Sequence, residues 1–237
     1  MGSDIMDNIK SIRILLGLIY DLYHNKKYLN DDFINNYKVS SDVCKRVLEK
    51  IKVNVNIIGT ENIPVDGPLL LAPNHISFFD IILLLSVIDR PLPFAAAVEL
   101  MSYPILRDYI SALKCVLINR ETNDMNTMRE QIDGIQESIK KTGLIVFPEG
   151  ECSYNQEIYD FKKGAFLRLK ETSVVPTYIN TPVIKKIGKW TIPTDNIDII
   201  FGKPFVVSEV FSTRAKAEVV AEYTKNKVLE LKRFIDN

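Results

Sequence analysis

Apolar residues recur along this chain in two rhythms. Ile5, Ile9, Ile12, Leu16, Ile19, Tyr20 and Tyr23 fall on one stripe at a period of 3.6, which predicts a helix over residues 5–23. Ile14, Leu15, Leu18 and Leu22 widen that stripe in its second half. Val43, Val47, Leu48 and Ile51 predict a second helix over 40–52, after which Val53, Val55 and Ile57 alternate as in a strand. A buried strand is expected over 69–72, ended by Pro73, and a helix opened by Ser77 takes in the run 81–88. Segments 94–98 and 115–119 are strand-like. A helix over 124–141 turns Met125, Met128, Ile132, Ile135 and Ile139 inward and stops at Gly143. Strands follow over 144–147, 174–179 and 197–201. A helix over 215–235, with Val220, Val228, Leu231 and Ile235 as its stripe, closes the chain.

Strands and helices alternate with short connections, which defines an α/β architecture: a largely parallel or mixed sheet flanked by helices. An N-terminal helical segment over 1–52 is a candidate membrane-surface anchor, and 53–237 forms the α/β domain. With 237 residues, 46% of them hydrophobic, the chain can bury a large core. Lys plus Arg and Asp plus Glu are 30 each, so the formal charge is zero. That balance excludes general polyanion binding, and no nucleic-acid partner is expected. Cys44, Cys115 and Cys152 are far apart and show no CxxC spacing, so neither a zinc cage nor a disulfide framework is expected. No metal or cofactor is expected. No secretory leader is read at the start, where Asp4 and Asp7 replace a basic flank. No apolar run approaches the roughly 18 residues of a membrane span.

Ligands of open α/β sheets sit at the carboxyl ends of strands. Three polar clusters fall there: Asn74-His75-Ile76-Ser77-Phe78-Phe79-Asp80, Asn119-Arg120 and Pro148-Glu149-Gly150. His75 and Asp80 are five apart and point to different faces of an ideal helix. They meet if His75 precedes the helix, Ser77 caps it and Asp80 stands third within it. Asp80 then fixes the tautomer of His75 and stabilises its protonated form. Ser77-x-x-Asp80 is equally a capping box, in which Asp80 serves only the helix terminus. Arg120 suits an anionic group or is a solvated charge. Glu149 and Gly150 suit a site or an ordinary turn, and Lys162 and Lys163 add two cations shortly afterwards.

Taken in order, these blocks resemble the glycerophospholipid acyltransferase family, the PlsC-like group that includes lysophosphatidate acyltransferases. The blocks are the His75–Asp80 stretch, Val116-Leu117-Ile118-Asn119-Arg120, Phe147-Pro148-Glu149-Gly150 and Val174-Val175-Pro176-Thr177-Tyr178. The likeness spans about residues 53–205. It implies an acyltransferase domain over 53–237 that moves a fatty acyl chain from acyl-CoA or acyl-carrier protein to a lysolipid hydroxyl, with 1-acyl-sn-glycerol-3-phosphate as the leading acceptor. The acyl thioester is a substrate, not a cofactor. The resemblance makes His75 the general base and Asp80 its orienting partner, with direct attack and no acyl-enzyme. Arg120, Glu149, Gly150, Lys162 and Lys163 are the implied substrate-binding residues.

The chain departs from the family where the third block often continues Thr-Arg-Ser: it reads Glu151-Cys152-Ser153. A carboxylate near a phosphate dianion is unfavourable, so Lys162 or Lys163 would have to compensate, or the acceptor differs. Cys152 as an acyl-carrying nucleophile needs an activating partner; the neighbouring sequence offers none, and His75 is the one that could approach it in space. A small residue in a turn is the better account at this level. Two competitors stand beside the transferase: an acyl-thioesterase using His75 and water, and a lipid-binding module without turnover. A lysolipid acceptor also implies a membrane surface as partner and a peripheral position on the cytoplasmic face. The helix over 5–23 and the stretch 184–190, which mixes lysines with Trp190, are the candidate contacts.

Overall fold

The computed structural model describes residues 2–181, 184–187, 190–193, 196–211 and 215–236, with side chains from residue 12 onward apart from 184–187, 190–192 and 236. Two helices lead, α1 (Gly2–Asn25) and α2 (Phe33–Ile51), followed by β1 (Val55–Ile58), β2 (Leu69–Pro73) and α3 (Phe79–Val87). Next come β3 (Ala95–Ala97), α4 (Pro104–Ala112), β4 (Val116–Ile118), α5 (Met125–Lys141) and β5 (Leu144–Ile145). The last part holds β6 (Ser173–Asn180), β7 (Ile184–Ile187), β8 (Trp190–Pro193), β9 (Ile197–Phe201), β10 (Phe205–Val206), α6 (Val207–Val210) and α7 (Ala217–Asp236).

The main sheet runs β1-β9-β6-β2-β5, with β10 also on β6. It is mixed. β2 is parallel to both neighbours and β1 is parallel to β9, whereas β6 is antiparallel to β9 and β10. β3 and β4 pair in parallel, and a parallel bridge from Phe94 to Ile145 links them to β5. The strands β2, β5, β6, β3 and β4 therefore all end on one edge, which is where the polar clusters emerge.

The centre of the sheet is apolar on both faces, as a covered parallel strand must be. Leu69 and Leu71 point into one core with Val47, Leu83, Phe147 and Val175, under α2 and α3. Leu70 and Ala72 point into the other with Ile139, Phe166, Val174 and Val228, under α5 and α7. The N-terminal helices share the first core through Leu18, Tyr37 and Val47. Among the described residues no helix is long and apolar enough to cross a membrane.

Several boundaries differ from the expectation for identifiable reasons. α2 starts at Phe33, not 40, because the Asp32 side chain accepts the Ile34 amide at 2.9 Å and caps it. α4 was not expected; Pro104 at its first position supplies the start. The helix after His75 begins at Phe79, so Asp80 is its second residue rather than its third. Ser77 lies one residue before the cap position, its hydroxyl accepting the Phe79 amide at 3.1 Å.

Asn74 ties the end of β2 to β6. Its amide oxygen accepts from the Ile179 N–H at 2.7 Å and its amide nitrogen donates to the Ile179 carbonyl at 3.0 Å, in the interior. Replacing it by Ala leaves both Ile179 groups unpaired. Denaturant unfolding of Asn74→Ala is expected to show a loss of about 2–4 kcal/mol, against under about 0.5 kcal/mol for Glu130→Ala on the exposed face of α5.

Candidate active site

The loop from β2 to α3 carries His75 and the first turn of α3 carries Asp80. The two side chains meet: His75 Nδ1 lies 2.8 Å from Asp80 Oδ2. The same oxygen accepts the amides of Ile76 at 2.8 Å and Ser77 at 2.9 Å, and the Ser77 hydroxyl reaches Oδ1 at 3.4 Å. Asp80 is 0% exposed, so a bare carboxylate there would be costly; these donors and the α3 N-terminus hold its charge. Asp80 thus serves both the loop backbone and the imidazole. The two readings of Ser77-x-x-Asp80 are not exclusive.

Burial depresses the basicity of His75, but Asp80 and then Cys152 outweigh it and push its pKa up to about 9. The ring stacks on Phe147, centroids 4.0 Å apart at 21°. Its Nε2, facing away from Asp80, lies 3.2 Å from Cys152 Sγ. The two residues are 77 positions apart in the chain. The adjacent sequence holds no histidine, and the fold brings His75 to Cys152 across that separation.

Glu149 is placed differently from the expectation. It is 1% exposed. One carboxylate oxygen accepts the His75 amide at 2.6 Å and the other the Tyr159 amide at 2.7 Å. Burial raises its pKa while these two amides pull it down. Both oxygens are committed to backbone, so Glu149 braces the His75 loop from beneath and presents no free carboxylate to a substrate. The Ser153 and Tyr154 amides complete the brace on the His75 and Ile76 carbonyls, at 2.8 and 3.1 Å.

Exposed Arg120 donates to the Gly150 carbonyl at 2.5 Å, which puts a guanidinium over the turn. Gly150 has φ 76°, and a Cβ there would stand 2.8 Å from Lys162 Nζ, so glycine lets the lysine lie across the turn. Arg120, Gly150 and Lys162 are together. Lys163 is not with them: its ammonium pairs with Glu218 on α7 at 2.8 Å, because the chain turns outward between the two lysines. Between α1, α3 and α4 lies an almost wholly apolar cavity of about 270 Å³, bordered by Leu18, Leu22, Phe78, Ile82, Leu100 and Ile110. Phe78, three positions after His75 in the chain, forms part of its wall.

A His–Asp pair at the carboxyl edge of a mixed sheet, with a guanidinium on one side and an apolar cavity on the other, suits transfer of a long apolar group onto a polar acceptor. An acyltransferase family model matches residues 54–184, and the chain belongs to that family. It is 32% identical over 185 residues to the chloroplastic 1-acyl-sn-glycerol-3-phosphate acyltransferase LPAT1 of Arabidopsis thaliana, covering 74% of this chain and 48% of that protein. A probable 1-acyl-sn-glycerol-3-phosphate acyltransferase of Mycoplasma pneumoniae is 28% identical over 168 residues, 64% of this chain and 62% of the other. The chain thus spans about half to three-fifths of these two relatives. The crystal structure of the 1-acyl-sn-glycerophosphate acyltransferase PlsC from Thermotoga maritima superposes with a TM-score of 0.69 at 25% identity, covering 94% of this chain and 98% of that one.

The raised pKa has a measurable sign. Relative to an unfolded imidazole near 6.5, the stability contributed by protonated His75 is fully present below about pH 6.5 and is lost as pH rises through about 9. In a His24→Gln background, NMR titration of the one remaining imidazole is expected to give a midpoint well above 6.5. Asp80→Asn is expected to bring it down, and an unchanged midpoint would separate Asp80 from the ring's charge.

Proposed function

We propose that this chain is a membrane-surface acyltransferase that moves a fatty acyl chain from acyl-CoA or acyl-carrier protein to the free hydroxyl of a lysophospholipid. 1-Acyl-sn-glycerol-3-phosphate is the leading acceptor, the one acted on by the proteins it resembles. The observation that carries the reading is the 2.8 Å His75–Asp80 contact at the sheet edge. With Nδ1 held by Asp80, Nε2 is the nitrogen left to take the hydroxyl's proton, and the buried carboxylate stabilises the imidazolium that results. The apolar cavity beside Phe78 is a seat for the acyl chain. Arg120 and Lys162 are the cations nearest the turn for an acceptor phosphate. The thioester itself is the activated donor, and these roles require no cofactor.

Membrane contact is supported by the outer face of α1. Leu16 and Tyr20 are 60% and 61% exposed, and Ile12, Ile19 and Tyr23 share their side of the helix. At its base an open cleft of about 590 Å³ is lined by Tyr23, Lys26, Lys27, Arg107 and Asp108; Asp108 pairs with Lys26 at 3.3 Å, which leaves Lys27 and Arg107 beside the aromatic ring for anionic headgroups. The side chains of 184–187 and Trp190, the other candidate contact, lie outside the described residues. On this reading the protein works at the cytoplasmic face.

Thiol release from acyl-CoA, with and without lysophosphatidate, tests the activity. Release is expected to require the acceptor and to fall about 10²–10⁴-fold in His75→Ala. Acceptor-independent release would instead identify a thioesterase, and silence with every donor and lysolipid a binding module.

Leu16→Glu combined with Tyr20→Glu is expected to reduce sedimentation with anionic liposomes while leaving the melting temperature within a few degrees. Unchanged sedimentation would remove α1 as the contact.

A further inference from the structure

The turn after β5 sets charges of both signs beside the candidate base. Gly150 carries the cations: Arg120 donates to its carbonyl at 2.5 Å, and Lys162 lies across it. Glu151 comes next and is exposed. Among the described residues its carboxylate has no ion pair and no hydrogen bond. Cys152 follows, its sulfur 3.2 Å from His75 Nε2, and the hydroxyl of Tyr154 bonds to that sulfur. Tyr154 is itself 43% exposed. We propose that the site also acylates lysophospholipids whose phosphodiester headgroup ends in an ammonium group: Arg120 and Lys162 hold the phosphate, and Glu151 with the ring of Tyr154 receives the cation. The inference rests on the acyltransferase reading, and it adds the ethanolamine and choline lysophospholipids to lysophosphatidate as acceptors.

Three observations support it. First, a phosphate monoester carries about −1.5 to −2 charges at neutral pH, whereas a phosphodiester carries one. An uncommitted carboxylate beside the phosphate opposes the monoester more, and a headgroup ammonium turns that repulsion into attraction. Second, no further lysine relieves the repulsion at this turn: Lys163 is held by Glu218 at 2.8 Å. Third, the Tyr154 phenol is neutral at working pH. Burial, and then Cys152, pushes its pKa up to about 12. A neutral ring offers a cation its electron-rich face, and an aromatic face beside a carboxylate is suited to substituted ammonium ions. The order along the turn fits as well. Two carbons separate phosphate from nitrogen in these headgroups, and Glu151 is the immediate neighbour of the glycine on which both cations rest.

The chemistry at the hydroxyl is the same for every acceptor. Its oxygen bonds to the acyl carbon, the bond from that carbon to the donor's sulfur breaks, and the hydroxyl proton passes by way of His75 Nε2 to the departing sulfur. The headgroup takes no part in these bonds. Glu151 and Tyr154 therefore act on how well an acceptor is held, and their effect falls on KM more than on kcat. The carboxylate is exposed, so its attraction for an ammonium is modest and weakens as salt is added.

The experiment compares initial rates of the full chain on four lysolipids of one acyl chain in mixed micelles, with palmitoyl-CoA and with palmitoyl-acyl-carrier protein as donors. The acceptors are lysophosphatidate, lysophosphatidylethanolamine, lysophosphatidylcholine and lysophosphatidylglycerol, the last a phosphodiester without the ammonium. At least one ammonium-bearing acceptor is expected to exceed lysophosphatidylglycerol in kcat/KM by about 3–10-fold at low salt. The ethanolamine and choline arms separate a hydrogen-bonded ammonium from one held by the ring alone. Glu151→Gln is expected to erase the preference through KM and to improve transfer to lysophosphatidate, and Glu151→Lys to reverse the order. Tyr154→Phe is expected to keep the preference and Tyr154→Leu, if its circular dichroism is native, to reduce it. Transfer to lysophosphatidate with none to either ammonium-bearing lysolipid would overturn the ammonium site and leave the acyltransferase standing. So would a preference unchanged in Glu151→Lys, or an equal fall on all four acceptors in Glu151→Gln. A wild type that acylates none of the four from either donor would overturn both.

Discussion

The structure of the site depends on one buried carboxylate. Asp80 has no contact with solvent, and it collects four donors from residues 75–77, three of them on a single oxygen. A charge in that position is tolerated only if every lone pair is used, so the loop must wrap it closely. Wrapping it is what bends the chain after Pro73 and turns the His75 ring toward the edge of the sheet. The first turn of α3 contributes its own unpaired amides to the same end. Backbone shape, helix start and ring orientation are therefore consequences of one electrostatic requirement. Neutralising Asp80 would disturb the loop as well as the imidazole.

Glu149 supplies the same kind of support from the adjacent strand. β5 is parallel to β2, so the turn after it arrives beneath the His75 loop, where Glu149 takes one amide from His75 and another from Tyr159. The two acidic residues that frame the histidine thus bind backbone, while Arg120 and Lys162 face solvent beside exposed Glu151. This division explains how a chain of zero formal charge presents two cations beside one exposed carboxylate at this turn. It also explains the importance of Gly150: a side chain there would meet the lysine before any ligand does.

Much of this was legible in the sequence because it is local. The continuous apolar run before Pro73 marks a strand covered on both faces, and His75 and Asp80 lie in the same short loop. β6 was likewise evident as a run of buried residues. What escaped notice depends on neighbours remote in the chain. α4 is short and opens with proline, which also punctuates loops, so its apolar face has meaning only against α1 and α2. Glu149 looks like a ligand residue until the His75 amide is placed above it. Lys162 and Lys163 are adjacent in sequence, yet only Glu218, 55 residues further on, separates their roles. The Cys152–His75 contact, left open by the sequence as an approach in space, is of the same kind: two loops that meet because β2 and β5 are neighbours.

Residue 152 links the acceptor to the protonation of His75. Where family members often carry arginine, this chain carries a thiol 3.2 Å from Nε2. A guanidinium at that place would oppose a proton on the ring and favour the neutral imidazole that direct attack requires. A thiol carries no such fixed charge, and Asp80 and then Cys152 raise the pKa of the ring. The same exchange removes a bidentate donor for phosphate and puts Glu151, exposed, beside the gap. On the proposed function, binding of the acceptor then falls to Arg120 and Lys162, both of which already lean on Gly150.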